Sequence, residues 1–151
     1  MKVVLTTVKS ASVTVDEQLI SEIDRGFLLL IGAEKGDSEA DVTRLSEKIS
    51  KLRVFEDSDG KTNLSLADVN GEILAVSQFT LAADVRKGNR PSFTQALEYQ
   101  EAQILYEFFL KKLRDAGFKT LPGVYGANMA VSSINDGPFT LILRSQNGIL
   151  T

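Results

Sequence analysis

A short polar segment at the end of an apolar stretch is the first candidate for chemistry. Ser77-Gln78-Phe79-Thr80 follows residues 73–76, whose apolar run is typical of a buried strand. Such polar residues often only satisfy the backbone where a strand turns into a loop. They are also suited to an oxyanion hole, in which turning backbone amides stabilise negative charge while Gln78 and Thr80 position a substrate. The segment alone leaves both interpretations open.

The second candidate is a loop that combines cations, a glycine and an aromatic residue. Arg86, Lys87 and Arg90 surround Gly88, and Phe93 follows three residues after Arg90. Most such clusters are solvated surface loops. The same residue types can hold a phosphate backbone and stack a terminal base, which is how unpaired RNA ends are recognised. Composition does not choose between the two.

The third candidate is a pair of segments in which the backbone shape matters. Gly123 and Gly126 lie in one of them, and Gly137-Pro138 lies in the other. Two ordinary turns explain the pattern equally well. A Gly-Pro bond in a tight turn is a candidate cis peptide, although only about 5–6% of X-Pro bonds in folded proteins are cis.

The residue types that are missing exclude several kinds of catalysis. The chain has no histidine and no cysteine, which removes Ser-His-Asp and Cys-His machinery, disulfides and the usual zinc sites. Asp57-Ser58-Asp59-Gly60 has only part of a calcium loop and is expected to be a turn. We therefore expect neither a metal ion nor a cofactor.

Charge and hydropathy restrict the partners and the location. The net charge is −3 over 151 residues, which argues against a protein that coats nucleic acid and predicts no DNA partner. No segment approaches the roughly 20 apolar residues of a membrane span, so we expect no membrane partner. The absence of cysteine is compatible with a reducing compartment, and we expect a cytoplasmic protein.

Hydrophobic periodicity predicts an α+β fold in one domain, residues 1–151. The sheet is expected to be largely antiparallel or barrel-like, with two amphipathic helices. An antiparallel meander is predicted from the strands 3–8, 12–15, 19–23 and 27–31. One helix is expected after Asp37 or Ser38, with apolar positions 42, 45, 49 and 52, and a second over 97–116. Asn70-Gly71 predicts a type I′ hairpin that joins strands 64–69 and 72–79, and the last strands are 128–134 and 139–144.

Taken together, these segments resemble the D-aminoacyl-tRNA deacylase family, over nearly the whole chain. A Ser-Gln-Phe-Thr segment with a downstream Asn-Asp-Gly-Pro, at this spacing, is a highly specific combination. The shared segments are Ala11-Ser12-Val13, residues 26–32, Ser77-Gln78-Phe79-Thr80-Leu81, Lys87-Gly88-Asn89-Arg90-Pro91-Ser92-Phe93, Gly126-Ala127-Asn128-Met129 and Asn135-Asp136-Gly137-Pro138.

The resemblance implies a homodimeric enzyme that hydrolyses the ester of D-aminoacyl-tRNA. In that family a Gly-cis-Pro element, here Gly137-Pro138, enters the partner's active site and excludes L side chains. The threonine is discussed either as nucleophile or as dispensable, with the tRNA 2′-hydroxyl assisting instead. The release of glycine mischarged on tRNA(Ala) is a further activity that the sequence leaves open. The implied site residues are Ser77, Gln78, Phe79 and Thr80 for catalysis, Ala127, Met129 and Asn135 for substrate binding, and Lys87, Arg90 and Phe93 for tRNA binding.

One departure from the family concerns the selectivity element. The family commonly has an arginine in its first strand that holds the Gly-cis-Pro element, and Thr7 stands there in this chain. Threonine has no forked, charged donor, so we expect Lys9 or Arg144 to replace it, or a looser filter. The alternative function is therefore a catalytically silent protein of this fold that binds RNA acceptor ends. An ion-binding structural module, based on the Asp57 turn, explains none of the other segments.

Overall fold

One long N-terminal strand organises the sheet of the computed structural model, which describes residues 1–151. The elements in chain order are β1 (Lys2–Val15), β2 (Gln18–Ile23), β3 (Gly26–Gly32), α1 (Glu39–Lys51), β4 (Arg53–Glu56), β5 (Thr62–Ser65), β6 (Glu72–Ser77), the 3₁₀ turn η1 (Phe79–Ala82), α2 (Tyr99–Asp115), β7 (Thr120–Pro122), β8 (Ala130–Gln146) and β9 (Ile149–Leu150). The α+β class with two helices is confirmed.

The sheet is mixed and does not close into a barrel. Its seven strands run in the order β7-β6-β3-β1-β8-β9, with β2 beside β1, while β4 and β5 form a separate pair. The pairs formed by β1 are antiparallel, as expected, whereas β3–β6 and β6–β7 are parallel. Strands buried on both faces read as continuous apolar runs, and β6 with β3 fits that description.

The predicted meander is wrong in its pairing. The two segments 3–8 and 12–15 form a single strand, β1, whose second half pairs with β2 and whose first half pairs with β3. β2 therefore does not lie between β1 and β3. It lies against β6 and β7 instead, and the Ser21 hydroxyl donates to the Pro122 carbonyl at 2.6 Å.

The predicted Asn70-Gly71 hairpin is also wrong. β5 pairs with β4, and β6 pairs in parallel with β3 and β7. Asn70 has a positive φ of 50°, but Gly71 does not, so the type I′ geometry is absent. The apolar side chains of β6 are better buried between two strands and under a helix than on one arm of a hairpin, and this long-range burial overrides the local turn signal.

Both helices cover one face of the sheet. Their buried apolar side chains join those of β1, β3 and β6 in one large cluster, which includes Val42, Leu45 and Ile49 from α1 and Leu105, Phe109 and Leu113 from α2. α2 ends where Gly117 adopts a φ of 92°, as predicted. Neither helix is long and apolar enough to cross a membrane. A second cluster on the opposite face includes Leu28, Leu74 and Val76, with β2 covering it.

The start of α1 is tied to the end of β8 by one buried carboxylate. Ser38 is the N-cap, and its backbone N–H donates to Asp41 at 3.0 Å. The same carboxylate accepts the Ser145 hydroxyl at 2.8 Å and the Gly148 N–H at 2.9 Å. Burial tends to raise the pKa of Asp41, but the bonds from Gly148, Ser145 and Ser38 outweigh it, so the pKa lies below its usual value.

We predict that Asp41→Asn lowers the free energy of unfolding at pH 7 by about 1.5–3 kcal/mol, the range for a hydrogen-bonded charge. Since the folded-state pKa is lowered, this stabilisation is present above the unfolded-state pKa of about 4 and is lost as pH falls through the folded pKa. Urea unfolding at pH 7 and pH 3 measures it. Glu39→Gln, an exposed carboxylate of the same helical turn, is the control. A deficit of equal size at both pH values would contradict the linkage.

Candidate active site

The Ser77-Gln78-Phe79-Thr80 segment forms the tight turn that leaves β6. The Gln78 N–H donates to the Ile31 carbonyl at 2.7 Å, which continues the β3–β6 pairing by one residue. The chain then enters η1, where the Leu81 N–H donates to the Gln78 backbone carbonyl at 3.2 Å. The first N–H groups of a helical turn have no acceptor within that turn. The backbone N–H groups of Phe79 and Thr80, at the start of the turn, are therefore candidate hydrogen-bond donors to a substrate.

Gly32 allows this turn to sit close to the end of β3. A Cβ atom on Gly32 would lie 2.8 Å from the Gln78 carbonyl oxygen and 2.9 Å from the Leu81 Cβ. Lys2 holds the turn from the outside, because its Nζ donates to the Leu81 carbonyl at 3.1 Å and lies 2.9 Å from the Glu34 carboxylate. The turn is therefore fixed from two sides.

The side chain of Thr80 has no base beside it. Its hydroxyl oxygen accepts the Gln78 side-chain amide at 2.5 Å, which is the only hydrogen bond of that hydroxyl. An amide N–H donor cannot take a proton from the hydroxyl. The geometry therefore does not activate Thr80 as a nucleophile.

A cavity of about 420 Å³ opens beside the turn and is lined mainly by apolar side chains. Ser77, Gln78 and Phe79 lie on its wall together with Ala127 and Met129. The structure thus brings together most of the residues that the sequence singled out for catalysis and substrate binding. Thr80 and Asn135 lie outside the lining, and so do Gly137 and Pro138. The Asn135 side chain instead accepts the Ser133 hydroxyl at 2.8 Å.

Three tyrosines line the same cavity, and none of them was among the predicted site residues. The Tyr106 hydroxyl donates to the Ala75 carbonyl at 2.8 Å, and burial raises its pKa to about 12. Tyr125 packs between Tyr106 and Tyr99, with ring centroids at 5.6 and 5.0 Å. Burial, then the neighbouring Tyr99 and Glu98, raises the pKa of Tyr125. The feature of the sequence that could have indicated Tyr106 is its position on the apolar face of α2.

Gly137 and Pro138 lie in a bulge of β8. Thr6 pairs with Thr140 and Val8 with Asn135, so residues 136–139 stand opposite Thr7 alone. The two predicted strands around the motif are therefore one strand that is interrupted by the bulge. The Gly137-Pro138 peptide bond is cis, as expected. Both residues are exposed.

The basic loop is closed at its base and touches the site turn through an aromatic contact. Asp84 and Ser92 exchange backbone hydrogen bonds of 2.7 and 2.9 Å. Arg86 donates two side-chain bonds to Asp84, which hold the pKa of that carboxyl far below its usual range. Phe93 meets Phe79 edge to face at 5.1 Å between centroids. Lys87 and Arg90 form no ion pair, so their charges are free.

No group of three or more histidine, cysteine, aspartate or glutamate side chains lies close enough together to hold a metal ion. The polar residues of the cavity lining carry hydroxyl and amide groups, and they are Ser77, Gln78, Asn128 and three tyrosines. Such a site can donate and accept hydrogen bonds. It contains no carboxylate for general acid-base catalysis.

Comparison with known proteins decides the family. The model of the D-Tyr-tRNA(Tyr) deacylase family matches residues 4–144. The chain belongs to this family. D-aminoacyl-tRNA deacylases of Lactobacillus gasseri and Staphylococcus saprophyticus are both 51% identical to it, over 95% and 98% of this chain and 99% and 98% of theirs. A solved structure of a protein called c-Myc DNA Unwinding Element Binding Protein is 42% identical, with a TM-score of 0.90, and covers 96% of this chain and 99% of its own.

The hydroxyl of Thr7 braces the Gly137-Pro138 bulge in this chain. The Thr7 hydroxyl donates to the Asp136 carbonyl at 2.7 Å and lies 3.4 Å from the Phe139 carbonyl, at the two ends of the bulge. Lys9 only approaches the Asp136 carboxylate at 4.0 Å, and Arg144 pairs with Glu34 instead. The expectation that Arg144 replaces the family arginine is therefore wrong, because Thr7 itself makes the contact.

We predict that Thr7→Val lowers the free energy of unfolding by about 1–2 kcal/mol, because valine keeps the shape but leaves the Asp136 carbonyl without its donor. Amide hydrogen exchange of Asp136, Gly137 and Phe139 should speed up as well. Thr14→Val, in the same strand and without a side-chain hydrogen bond, is the control and should change neither. Unaltered stability and exchange in Thr7→Val would show that the bulge does not depend on this hydroxyl.

Proposed function

We propose that this chain removes D-amino acids from tRNA by hydrolysing their ester bond beside the Ser77-Gln78-Phe79-Thr80 turn. Its family and its relatives make it a D-aminoacyl-tRNA deacylase, which is a hydrolase. The observation that carries the location is the cavity, since Ser77, Gln78 and Phe79 line it together with Ala127 and Met129. The acceptor end of the tRNA occupies this cavity in the proposed complex.

The turn is suited to stabilise the charge that develops in ester hydrolysis. Attack of water on the ester carbonyl gives a tetrahedral intermediate with an oxyanion, and preorganised N–H donors are the usual means of stabilising it. The backbone N–H groups at the start of η1 are such donors, with Gln78 and Phe79 in the cavity wall. The close packing on Gly32 keeps these groups in place before the substrate arrives.

When the intermediate collapses, the ester bond to the ribose oxygen breaks and that oxygen takes up the proton of the attacking water. The chain has no histidine or cysteine, and the Thr80 hydroxyl contacts only the Gln78 amide. The 2′-hydroxyl of the terminal ribose lies next to the ester in the substrate itself. We infer that this hydroxyl assists the reaction and that the hydroxyl of Thr80 is dispensable.

Stereochemical selection is assigned to the Gly137-Pro138 bulge of a second copy of the chain. In one copy the bulge is exposed and does not line the cavity. A chain that selects with this element therefore needs a partner that places it at the mouth of the cavity. Backbone carbonyls held by Thr7 would then meet an L side chain sterically, while every D side chain points away.

The exposed edge of β8 is the surface on which a homodimer would form. β8 pairs with β1 on one side, and only its last two paired residues meet β9 on the other. Ile134 and Ile142 are 60% and 77% exposed on this strand. An unpaired edge with exposed apolar side chains favours pairing with another chain.

Sedimentation equilibrium should give a dimer. Ile142→Asp should shift the equilibrium towards monomer, because it places a charge on the exposed apolar edge.

The proposed reaction has consequences for a further substrate and for the location of the protein. Selection by steric exclusion does not act on an amino acid without a side chain, so we infer that glycine mischarged on tRNA(Ala) is also released. The alternative, a catalytically silent protein that binds RNA acceptor ends, would bind the same substrates without releasing amino acid. Since its substrate is charged tRNA, we infer that the protein is cytoplasmic.

We predict that the purified protein releases D-tyrosine from D-tyrosyl-tRNA at least about a hundredfold faster than L-tyrosine from L-tyrosyl-tRNA, which corresponds to about 2.7 kcal/mol of transition-state discrimination. Matched substrates on the same tRNA and acid precipitation of the charged tRNA measure both rates. Equal release from both would remove the stereochemical role, and binding without release would establish the silent alternative.

Two variants of the same assay test the proton route. Thr80→Val should keep most of the activity, whereas a substrate with a 2′-deoxy terminal adenosine should be cleaved much more slowly, because the assisting hydroxyl is gone. Circular dichroism confirms that Thr80→Val is folded. Loss of all activity in Thr80→Val, with normal cleavage of the 2′-deoxy substrate, would reverse the assignment.

The free cations of the basic loop should contribute to tRNA binding. We predict that Lys87→Ala with Arg90→Ala weakens tRNA affinity and flattens the slope of log K against log salt by about one to two units, since each lost phosphate contact removes about 0.7–0.9. Filter binding at several salt concentrations measures it. Lys48→Ala with Lys51→Ala on α1 changes the net charge equally and is the control. Equal effects of the two double substitutions would show that the basic loop has no specific role in tRNA binding.

A further inference from the structure

All three tyrosines of the chain line the one cavity beside the site turn, and the chain has no tryptophan. Two of their hydroxyl groups have partners within the protein. The Tyr106 hydroxyl donates to the Ala75 carbonyl at 2.8 Å, and the Tyr125 hydroxyl donates to the Tyr99 carbonyl at 3.0 Å. Tyr99 is the exception, because its own hydroxyl makes no hydrogen bond within the chain.

The Tyr99 side chain is held although it is 56% exposed. It is the first residue of α2, which fixes its backbone. Its ring meets the Tyr125 ring edge to face, with centroids 5.0 Å apart and planes at 66°. Gly126, at a φ of 75°, leaves room for the Tyr99 hydroxyl, since a Cβ atom there would overlap the hydroxyl oxygen.

An exposed tyrosine on a surface helix normally loses rotamer freedom only when something binds to it. Here the ring contact with Tyr125 and the space left by Gly126 favour one orientation of the ring before binding. A preorganised aromatic side chain with a free polar tip costs little entropy when it contacts a ligand. Tyr99 belongs to the wall of a mainly apolar cavity, so its hydroxyl, which has no partner in the chain, is available as a polar contact for a ligand there.

We propose that Tyr99 is a substrate-binding residue, whose hydroxyl forms a hydrogen bond with the terminal nucleoside of the tRNA while its ring packs against it. The proposal rests on the proposed function for the identity of the substrate. Tyr125 is a positioning residue in this scheme, because its hydroxyl acts on the backbone of Tyr99 and not on the ligand. The apolar walls suit a flat heteroaromatic ring, whose edges and ribose carry the polar groups that Tyr99 would meet.

Removal of the single hydroxyl separates binding from packing. In Tyr99→Phe the ring still packs on Tyr125, so a purely structural Tyr99 predicts no change. If the hydroxyl binds substrate, KM for D-tyrosyl-tRNA should rise about threefold to tenfold with kcat unchanged, the effect of one neutral hydrogen bond. Tyr125→Phe should raise KM less, because the Tyr99 ring remains beside it. Ile104→Ala, an exposed residue of α2 outside the cavity, is the control and should change nothing.

Tyrosine emission gives a second readout that does not depend on hydrolysis. Because every tyrosine lines the cavity and tryptophan is absent, the intrinsic emission of this protein reports occupancy of the cavity. Titration with the unacylated RNA trinucleotide CCA, corrected for its absorption, should change the emission and give a Kd. The Kd should rise in Tyr99→Phe, in which two tyrosines still report, by the same factor as KM.

The outcomes distinguish the role of Tyr99 from the deacylase function. A wild-type protein that hydrolyses D-tyrosyl-tRNA, together with a Tyr99→Phe variant whose KM and Kd are unchanged, overturns the role of Tyr99 and leaves the deacylase function intact. A folded wild-type protein that neither hydrolyses D-tyrosyl-tRNA nor binds CCA overturns both. A rise in KM and Kd for Tyr99→Phe, with Ile104→Ala unchanged, supports the assignment.

Discussion

The pairing of β1 on both of its edges is the constraint on which the site depends. On one edge β1 aligns β3, and β3 aligns β6, whose last residue Ser77 begins the site turn. On the other edge it aligns β8, where a single residue of β1, Thr7, faces the four residues of the bulge. A slip of one residue in either register would turn the paired side chains to the opposite face. One strand therefore fixes both the site turn and the Gly137-Pro138 bulge.

The fold was predictable where local signals and burial agree. The apolar periodicity of α1 and α2 and the caps at Ser38 and Gly117 are local features, and the structure has them as expected. The parallel pairing of β6 was not predictable in this way. Asn70-Gly71 is a strong local turn signal, but the strand after it gains more burial between β3 and β7, which only long-range pairing reveals.

The residues of the site were easier to find than their geometry. The motif segments supplied Ser77 to Phe79 and Ala127 with Met129, which the fold places on one cavity. Tyr106 was missed because an aromatic residue on the apolar face of a helix is usually a core residue, whereas Tyr99 and Tyr125 come to the cavity only through the tertiary fold. The bracing role of Thr7 was missed for a different reason. The Thr7 hydroxyl can donate to the bulge only because the backbone carbonyls of the bulge lie close to it. How many residues the bulge contains depends on the register between β1 and β8, which the sequence does not show.

The cavity also limits how such an enzyme can work. Its lining contains no aspartate, glutamate, lysine or arginine, so no carboxylate, ammonium or guanidinium side chain of the lining binds the substrate or transfers a proton. In the proposed reaction the charged and reactive groups belong to the tRNA, namely the phosphates and the 2′-hydroxyl. What remains for the protein is placement: N–H donors at the oxyanion, an aromatic wall at the nucleoside, and carbonyls against the L side chain. Each of these works only if it is rigid before binding. The contacts of Gly32, Tyr125 and Thr7 supply that rigidity at three separate places.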